Sequence, residues 1–340
     1  MKRILCTVTV LCLLLAGCVT PQTGGPKQYT ATFLTLFDTV TSIVGFAESE
    51  EAFQAKAQKI HDDLLIYHRL FDIYEEHDGI ANLKTINDQA GRGPVQVDRA
   101  IIDLLLDCKA YCELTHGKVN VAMGSVLRLW HNAREDGIRD PMNAYLPDSA
   151  ALENAARHTD LSKLIIDEAA STVYLSDPKM SLDVGAVAKG WAAQRVAEAA
   201  PEGMLISVGG NVCATGPKHA DGTPWVIGIQ NPDGNDNLHT MYLTQGAVVT
   251  SGDYQRTYTV EGTKYHHIID PETRMPAGYW RSVSIVCADS GLADALSTAL
   301  FLLPLEEGQA LAEACDADVL WIRADGEEFM TDGFREMLRT

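Results

Sequence analysis

Between residues 31 and 47 (ATFLTLFDTVTSIVGFA), β-branched and aromatic residues recur among polar ones, a pattern that predicts one or two strands. The spacing changes to a helical period over 49–71, which predicts a helix ending near His68-Arg69-Leu70-Phe71. Residues 72–95 are polar, with turns at Asp78-Gly79 and Gly91-Arg92-Gly93-Pro94. Helices are expected over 98–116 and 119–131, then a loop from Asp140-Pro141 to Pro147-Asp148 and a hairpin over 163–176. A helix at 185–200 precedes strands at 204–208, 212–215, 225–230, 239–244 and 247–250, and a second hairpin through 257–270. A strand at 282–288, helices at 291–303 and 305–315, and short final strands complete the pattern. Helices and hairpins are intermixed, so the reading is α+β, with mixed, hairpin-rich sheets and packed helices rather than a doubly wound parallel sheet.

The first residues read differently. Lys2 and Arg3 precede an apolar run from Ile4 to Ala16, too short for a comfortable membrane span but right for an export signal. Leu15-Ala16-Gly17-Cys18 looks like a bacterial lipobox. The expected organisation is a signal over 1–17, a lipidated Cys18 opening a Pro/Gly/Thr tether over 18–30, and one domain over 31–340. That places the protein on the extracytoplasmic face of a bacterial cell membrane. A formal net charge of −19 argues against nucleic acid as a partner, and requires any anionic ligand to be held by local cations, backbone amides or a metal. Cys108, Cys112, Cys213, Cys287 and Cys315 are an odd number without a CxxC pair, which argues against a disulfide framework.

Four stretches could carry chemistry. In Ser181-Leu182-Asp183-Val184-Gly185-Ala186-Val187-Ala188-Lys189-Gly190, small residues crowd a helix start, a place where backbone amides favour an anion and Lys189 adds a cation. The same composition also serves close packing against a sheet, with Asp183 as a cap. Ser207-Val208-Gly209-Gly210-Asn211 bends after a strand, as a bulge or a ligand contact. Thr250-Ser251-Gly252-Asp253-Tyr254-Gln255-Arg256 is a polar turn, followed by His266-His267-Ile268-Ile269-Asp270-Pro271. The two histidines are expected on a strand, facing opposite ways, so that one alone can serve a common site. Finally, Asp294 and Thr298 stand i, i+4 on an apolar helix and offer two hard oxygens of the type Mg²⁺ prefers, although an aspartate near a helix start also serves as a cap.

In this order, DxGAxAKG, VGGN, TSGDYxR, HIIDP and ADALxTAL, the chain resembles the FAD:protein FMN transferase family, the ApbE-type flavin transferases. Weaker similarity at Phe37-Asp38-Thr39 and Met123-Gly124 to Leu129-Trp130 extends it over nearly all of 31–335. The resemblance implies Mg²⁺ held by Asp294, Thr298 and the Ala186 carbonyl. It implies FAD, as substrate, against Phe37, Tyr74, Val119, Asn120, Asp183, Lys189 and Ile268, with His267 acting in catalysis. The implied reaction moves the FMN half of FAD to a threonine or serine hydroxyl of an acceptor redox protein with an FMN-binding domain, releasing AMP. Hydrolysis of FAD to FMN and AMP, or FAD binding without catalysis, are the alternatives. Phe37 stands where the family usually has methionine, Asn120 and Asn211 where it often has acids, and Arg274 where glycine is usual.

Overall fold

The computed structural model describes residues 25–339. The expected export signal, Cys18 and the first part of the expected tether lie outside the described residues. The chain opens with β1 (Lys27–Leu36) and β2 (Thr39–Ala47), then α1 (Glu50–Phe71), α2 (Leu83–Asp88), β3 (Val95–Gln96), α3 (Arg99–Leu114), α4 (Gly124–Arg139) and α5 (Ser149–Ala156). The hairpin β4 (Leu164–Asp167) and β5 (Thr172–Leu175) leads to α6 (Ala188–Ala199), β6 (Met204–Val208), β7 (Asn211–Ala214), β8 (Trp225–Gln230), β9 (Asn237–Leu243) and β10 (Gly246–Gly252). Last come β11 (Tyr258–Val260), β12 (Thr263–Tyr265), β13 (Ser282–Cys287), α7 (Ser290–Phe301), α8 (Leu305–Ala314), β14 (Asp318–Ile322), β15 (Glu328–Met330) and α9 (Asp332–Met337).

The centre is an eight-stranded sheet ordered β1-β2-β6-β7-β10-β13-β14-β15, antiparallel at every pairing. Side-chain alternation explains why it is buried on both faces. Ile43, Ile206, Cys213 and Ala247 face α1, α6 and α7, and Val249, Ile285 and Val319 continue that face against α7. Their neighbours Val44, Leu205, Val212, Val248 and Leu320 point the other way, onto the β8–β9 hairpin and Phe334 of α9. A smaller cluster joins Val126, Trp130 and Ala133 of α4 to Tyr258 and Ile269, flanking the opening of the helix layer.

Several elements depart from the pattern-based reading. The domain begins at Lys27, inside the expected tether, because Lys27–Thr30 extend the hairpin by pairing with Val44–Ala47. The helix expected over 119–131 starts at Gly124 and runs on to Arg139. Gly137, within the extension, is a close-packing position, since a Cβ there would lie 2.7 Å from the Tyr258 ring. Short helices α2 and α9 appear in stretches read as polar turns and final strands, and α5 in one the pattern leaves unassigned; Asn82, Asp148 and Thr331 each accept from the first turn and nucleate them. α6 begins at Ala188, not 185, with Val184–Val187 forming a turn. All five described cysteines are free thiols.

Candidate active site

The helix layer and the α4/β11–β12 flank enclose a cavity of about 750 Å³, within the usual range for a ligand site. All eleven candidate ligand and catalytic residues within the described chain line it. Phe37 comes from the β1–β2 turn, Tyr74 from the loop after α1, and Val119 and Asn120 from the turn before α4. Asp183, Ala186 and Lys189 come from the entry to α6, His267 and Ile268 from the segment after β12, and Asp294 and Thr298 from α7.

The floor is built by an unusually close meeting of α6 and α7. A Cβ on Gly190 would lie 2.2 Å from the Ser290 carbonyl oxygen and 2.5 Å from the Asp294 Cβ, so only glycine permits this approach. The Gly190 N–H donates to Asp294 Oδ2 at 2.8 Å rather than back to the Ala186 carbonyl, which therefore lacks its helical partner. Asp294 is buried, and the Lys189 ammonium rests 3.3 and 3.4 Å from its two oxygens and 3.2 Å from the Gly185 carbonyl. A cation thus already sits on this set of oxygens. Among the described residues there is no cluster of three or more His, Cys, Asp or Glu suited to a metal. One carboxylate, one hydroxyl and one carbonyl are hard but few, which fits Mg²⁺ completed by ligand phosphates and water better than a closed protein cage.

The histidine pair does not lie on a strand. β12 ends at Tyr265, and both residues border the cavity from the bend that follows, the His266 ring meeting Phe301 of α7 edge-on at 5.7 Å. They differ in what they have left to offer. His266 Nδ1 accepts from Ile268 N at 3.2 Å, so its Nε2 carries the proton and donates to the Ala277 carbonyl at 2.8 Å. His267 Nδ1 is buried without a partner. Burial first, then the charges of Arg256, His266, Arg134 and Lys189, hold the His267 imidazole down to about 3. It is neutral at physiological pH and has a nitrogen to spend.

Other predicted contacts divide clearly. Asn120 uses its side chain internally, donating to the Thr159 carbonyl at 2.9 Å and accepting from Ala122 N at 2.9 Å, so it shapes the wall rather than offering a free amide. Asp183 accepts from Gly185 N at 2.9 Å, and burial pushes its carboxyl up. Tyr74 lies over His131 with ring centres 5.1 Å apart; burial, then Asp183, push its phenol up to about 12, so it stays protonated. Sequence reasoning missed His131, Arg134 and Lys118 as lining residues. Lys118 clamps the first half of the cavity to the second, with Nζ 2.8 Å from Glu272 and 3.5 Å from Asp270. His131 ends the helix the sequence pattern predicts, and Arg134 sits three residues on, in the part of α4 that pattern did not reveal.

Fold and site together define an α+β protein whose ligand-sized cavity sets cations beside carboxylate, hydroxyl and carbonyl oxygens. The sequence profile of the ApbE family matches residues 36–321, and the chain belongs to that family. The FAD:protein FMN transferase of Treponema pallidum is 34% identical over 277 residues, covering 76% of this chain and 75% of that protein. One from Klebsiella pneumoniae is 31% identical over 278 residues, covering 77% and 83%. The crystal structure of the ApbE protein of Thermotoga maritima superposes with a TM-score of 0.81 at 30% identity, over 92% of this chain and all of that one.

Proposed function

We propose that this protein is an FAD:protein FMN transferase, moving FMN from FAD to a threonine or serine hydroxyl of an acceptor protein and releasing AMP. The observation that carries the reading is the convergence, in one cavity, of the Asp294–Thr298 oxygens, a group of cations, and a neutral histidine with an unpartnered nitrogen. Lys189, Arg256 and Arg134 face the cavity and offset the charge of a pyrophosphate in a chain that is otherwise strongly acidic. His267 Nδ1 accepts the proton of the acceptor hydroxyl as its oxygen attacks the flavin-side phosphorus. The phosphorus–oxygen bond to AMP breaks, and AMP leaves with the bonding pair. General-base help of this kind is worth on the order of 10²–10⁴-fold. The cations that depress His267 are the ones an anionic ligand neutralises, so FAD raises its proton affinity when it binds. Mg²⁺ held by Asp294, Thr298 and the Ala186 carbonyl supplies, when bound, neutralisation of charge on the phosphates and on departing AMP. The Lys189 ammonium, which rests on Asp294 and faces the cavity, would turn to the ligand's phosphates were a metal to take that carboxylate. His266, with both nitrogens committed, orients the segment bearing His267 and Ile268.

The acceptor we expect is a redox protein with an FMN-binding domain. We place the enzyme on the extracytoplasmic face of a bacterial membrane through a lipid on Cys18. The test incubates the purified protein with FAD and Mg²⁺, with and without an FMN-binding acceptor domain, following AMP and the acceptor's intact mass. Metal-dependent gain of FMN less water supports transfer. AMP without mass gain replaces it with hydrolysis, and bound FAD with neither product reduces the protein to a flavin binder.

A further inference from the structure

The β1–β2 turn forms one rim of the cavity in an unfavourable conformation. Leu36 pairs with Thr39, leaving Phe37 and Asp38 as a two-residue turn with φ of 53° and 51°. Tight hairpins need positive φ at both central positions, which is why Asn-Gly is preferred there; a phenylalanine and an aspartate are disfavoured by their Cβ atoms. Something outside the hairpin must hold the turn. The Phe37 N–H donates to His68 Nδ1 on the last turn of α1, at 3.2 Å, and the Phe37 ring meets the His68 ring edge-on at 5.5 Å. His68 in turn packs edge-on against His77, whose Nε2 lies 3.0 Å from Asp72 Oδ2. Phe37, Asp38, His68, Asp72 and His77 all line the cavity.

Accepting an N–H requires a lone pair on His68 Nδ1, so the ring is neutral with its proton on Nε2. We propose that His68 is a positioning residue for FAD: its neutral Nδ1 pins the strained Phe37-Asp38 turn, so that Phe37 stands as a fixed wall of the site. The inference rests on the flavin reading above. Protonation of His68 removes the acceptor and releases the turn. The titratable and charged groups facing it are Asp38 from the turn, Arg69 and Asp72 from the end of α1, and His77 from the next loop. Burial outweighs the two acids and lowers the His68 proton affinity, so the pinned form prevails at neutral pH.

The test compares wild type, His68→Ala and His68→Asn by flavin-fluorescence titration, steady-state transfer and amide exchange at Phe37. Asparagine places its Oδ1 where histidine has Nδ1, and accepts at any pH. Losing the hydrogen bond in His68→Ala should weaken FAD binding roughly five-fold, the equivalent of about 1 kcal/mol, with KM raised and kcat little changed. The Phe37 amide should exchange faster in His68→Ala and be protected again in His68→Asn. Below pH 6 the wild type should lose affinity that His68→Asn keeps, separating His68 from the other cavity histidines. Unchanged Phe37 exchange in His68→Ala, or His68→Asn as weak as alanine, overturns the proposal. A wild type that binds no FAD overturns the flavin reading instead, while Phe37 exchange still reports the hydrogen bond.

Discussion

Substituting Gly190 by alanine adds one methyl group where α6 and α7 meet. That carbon would stand 2.2 Å from the Ser290 carbonyl oxygen, 2.5 Å from the Asp294 Cβ and 3.0 Å from the Ser290 carbonyl carbon. All three belong to a helix packed on the sheet, so no flexible side chain can yield. Ordinary contact requires the helices to part by more than about 1 Å. Overpacking of this kind costs about 1–3 kcal/mol. Stretching the 2.8 Å bond from Gly190 N–H to the Asp294 carboxylate forfeits up to about 1.5–3 kcal/mol more. The better helix propensity of alanine returns about 0.5–1 kcal/mol. The net is roughly 2–5 kcal/mol, a fall in Tm on the order of 5–10 °C. Function should suffer further, because displacing a charged ligand by about 1 Å can cost about 10²-fold in rate. Gly210→Ala is the control: its φ of 92° disfavours alanine, but no atom lies within 4 Å of the added carbon. It should lose only about 1–3 kcal/mol from backbone strain and leave the floor of the cavity in place. Thermal melts and FMN transfer assays on both variants settle the matter. If Gly190→Ala melts and turns over like wild type, the close approach of the helices is not what seats Asp294.

Asp294→Ala should still bind FAD but lose metal-dependent AMP release by about 10²–10³-fold, as expected for removing several kcal/mol of charge stabilisation; Mg²⁺ titration of the rate checks it. His267 is held neutral in the folded state and regains its ordinary affinity on unfolding, so wild-type stability should fall as pH drops below about 6.5, by up to about 1.4 kcal/mol per unit until near 3. His267→Gln should lack this slope in urea titrations at pH 7 and 5 and lose roughly 10²–10⁴-fold in kcat; equal slopes would mean the ring is already hydrated. Cys18→Ala should move the protein out of the membrane fraction, and an unchanged distribution would remove the lipid anchor from the picture.

Where a motif combines chemistry with local geometry, the chain was readable. The Asp294–Thr298 pair needs only helical spacing, and the small-residue run before Lys189 signals a close approach that Gly190 makes. Longer elements such as α1 and α7 followed their apolar period. The misses have physical causes. α4 continues through Arg134-Glu135-Asp136-Gly137 because Gly137 packs on Tyr258, a tertiary contact no local pattern contains, and that extension carries Arg134 to the cavity beside His131. The histidine pair reads as alternating on a continued strand, but β12 ends at Tyr265 and both residues border the cavity from a bend, His266 with its ring on Phe301 and its nitrogens committed. Asn120 lines the cavity with its amide already committed to Thr159 and Ala122, pairings that no local pattern contains.

Every neighbour in the central sheet is also next in chain order among its strands, which bears on how the molecule is made. Only one junction, β2 against β6, must wait for the long excursion from Ala47 to Met204 to return. Such closure is mild in equilibrium cost, about 0.6 kcal/mol per doubling of loop length, but slow, because distant pairing must precede its reward. Phe37 lies before that excursion, Tyr74 and Lys189 within it and Asp294 beyond it, so the ligand site does not exist until the junction closes. Ligand affinity is therefore a late marker of folding, and FAD added during refolding should stabilise the closed chain without hastening the closure itself.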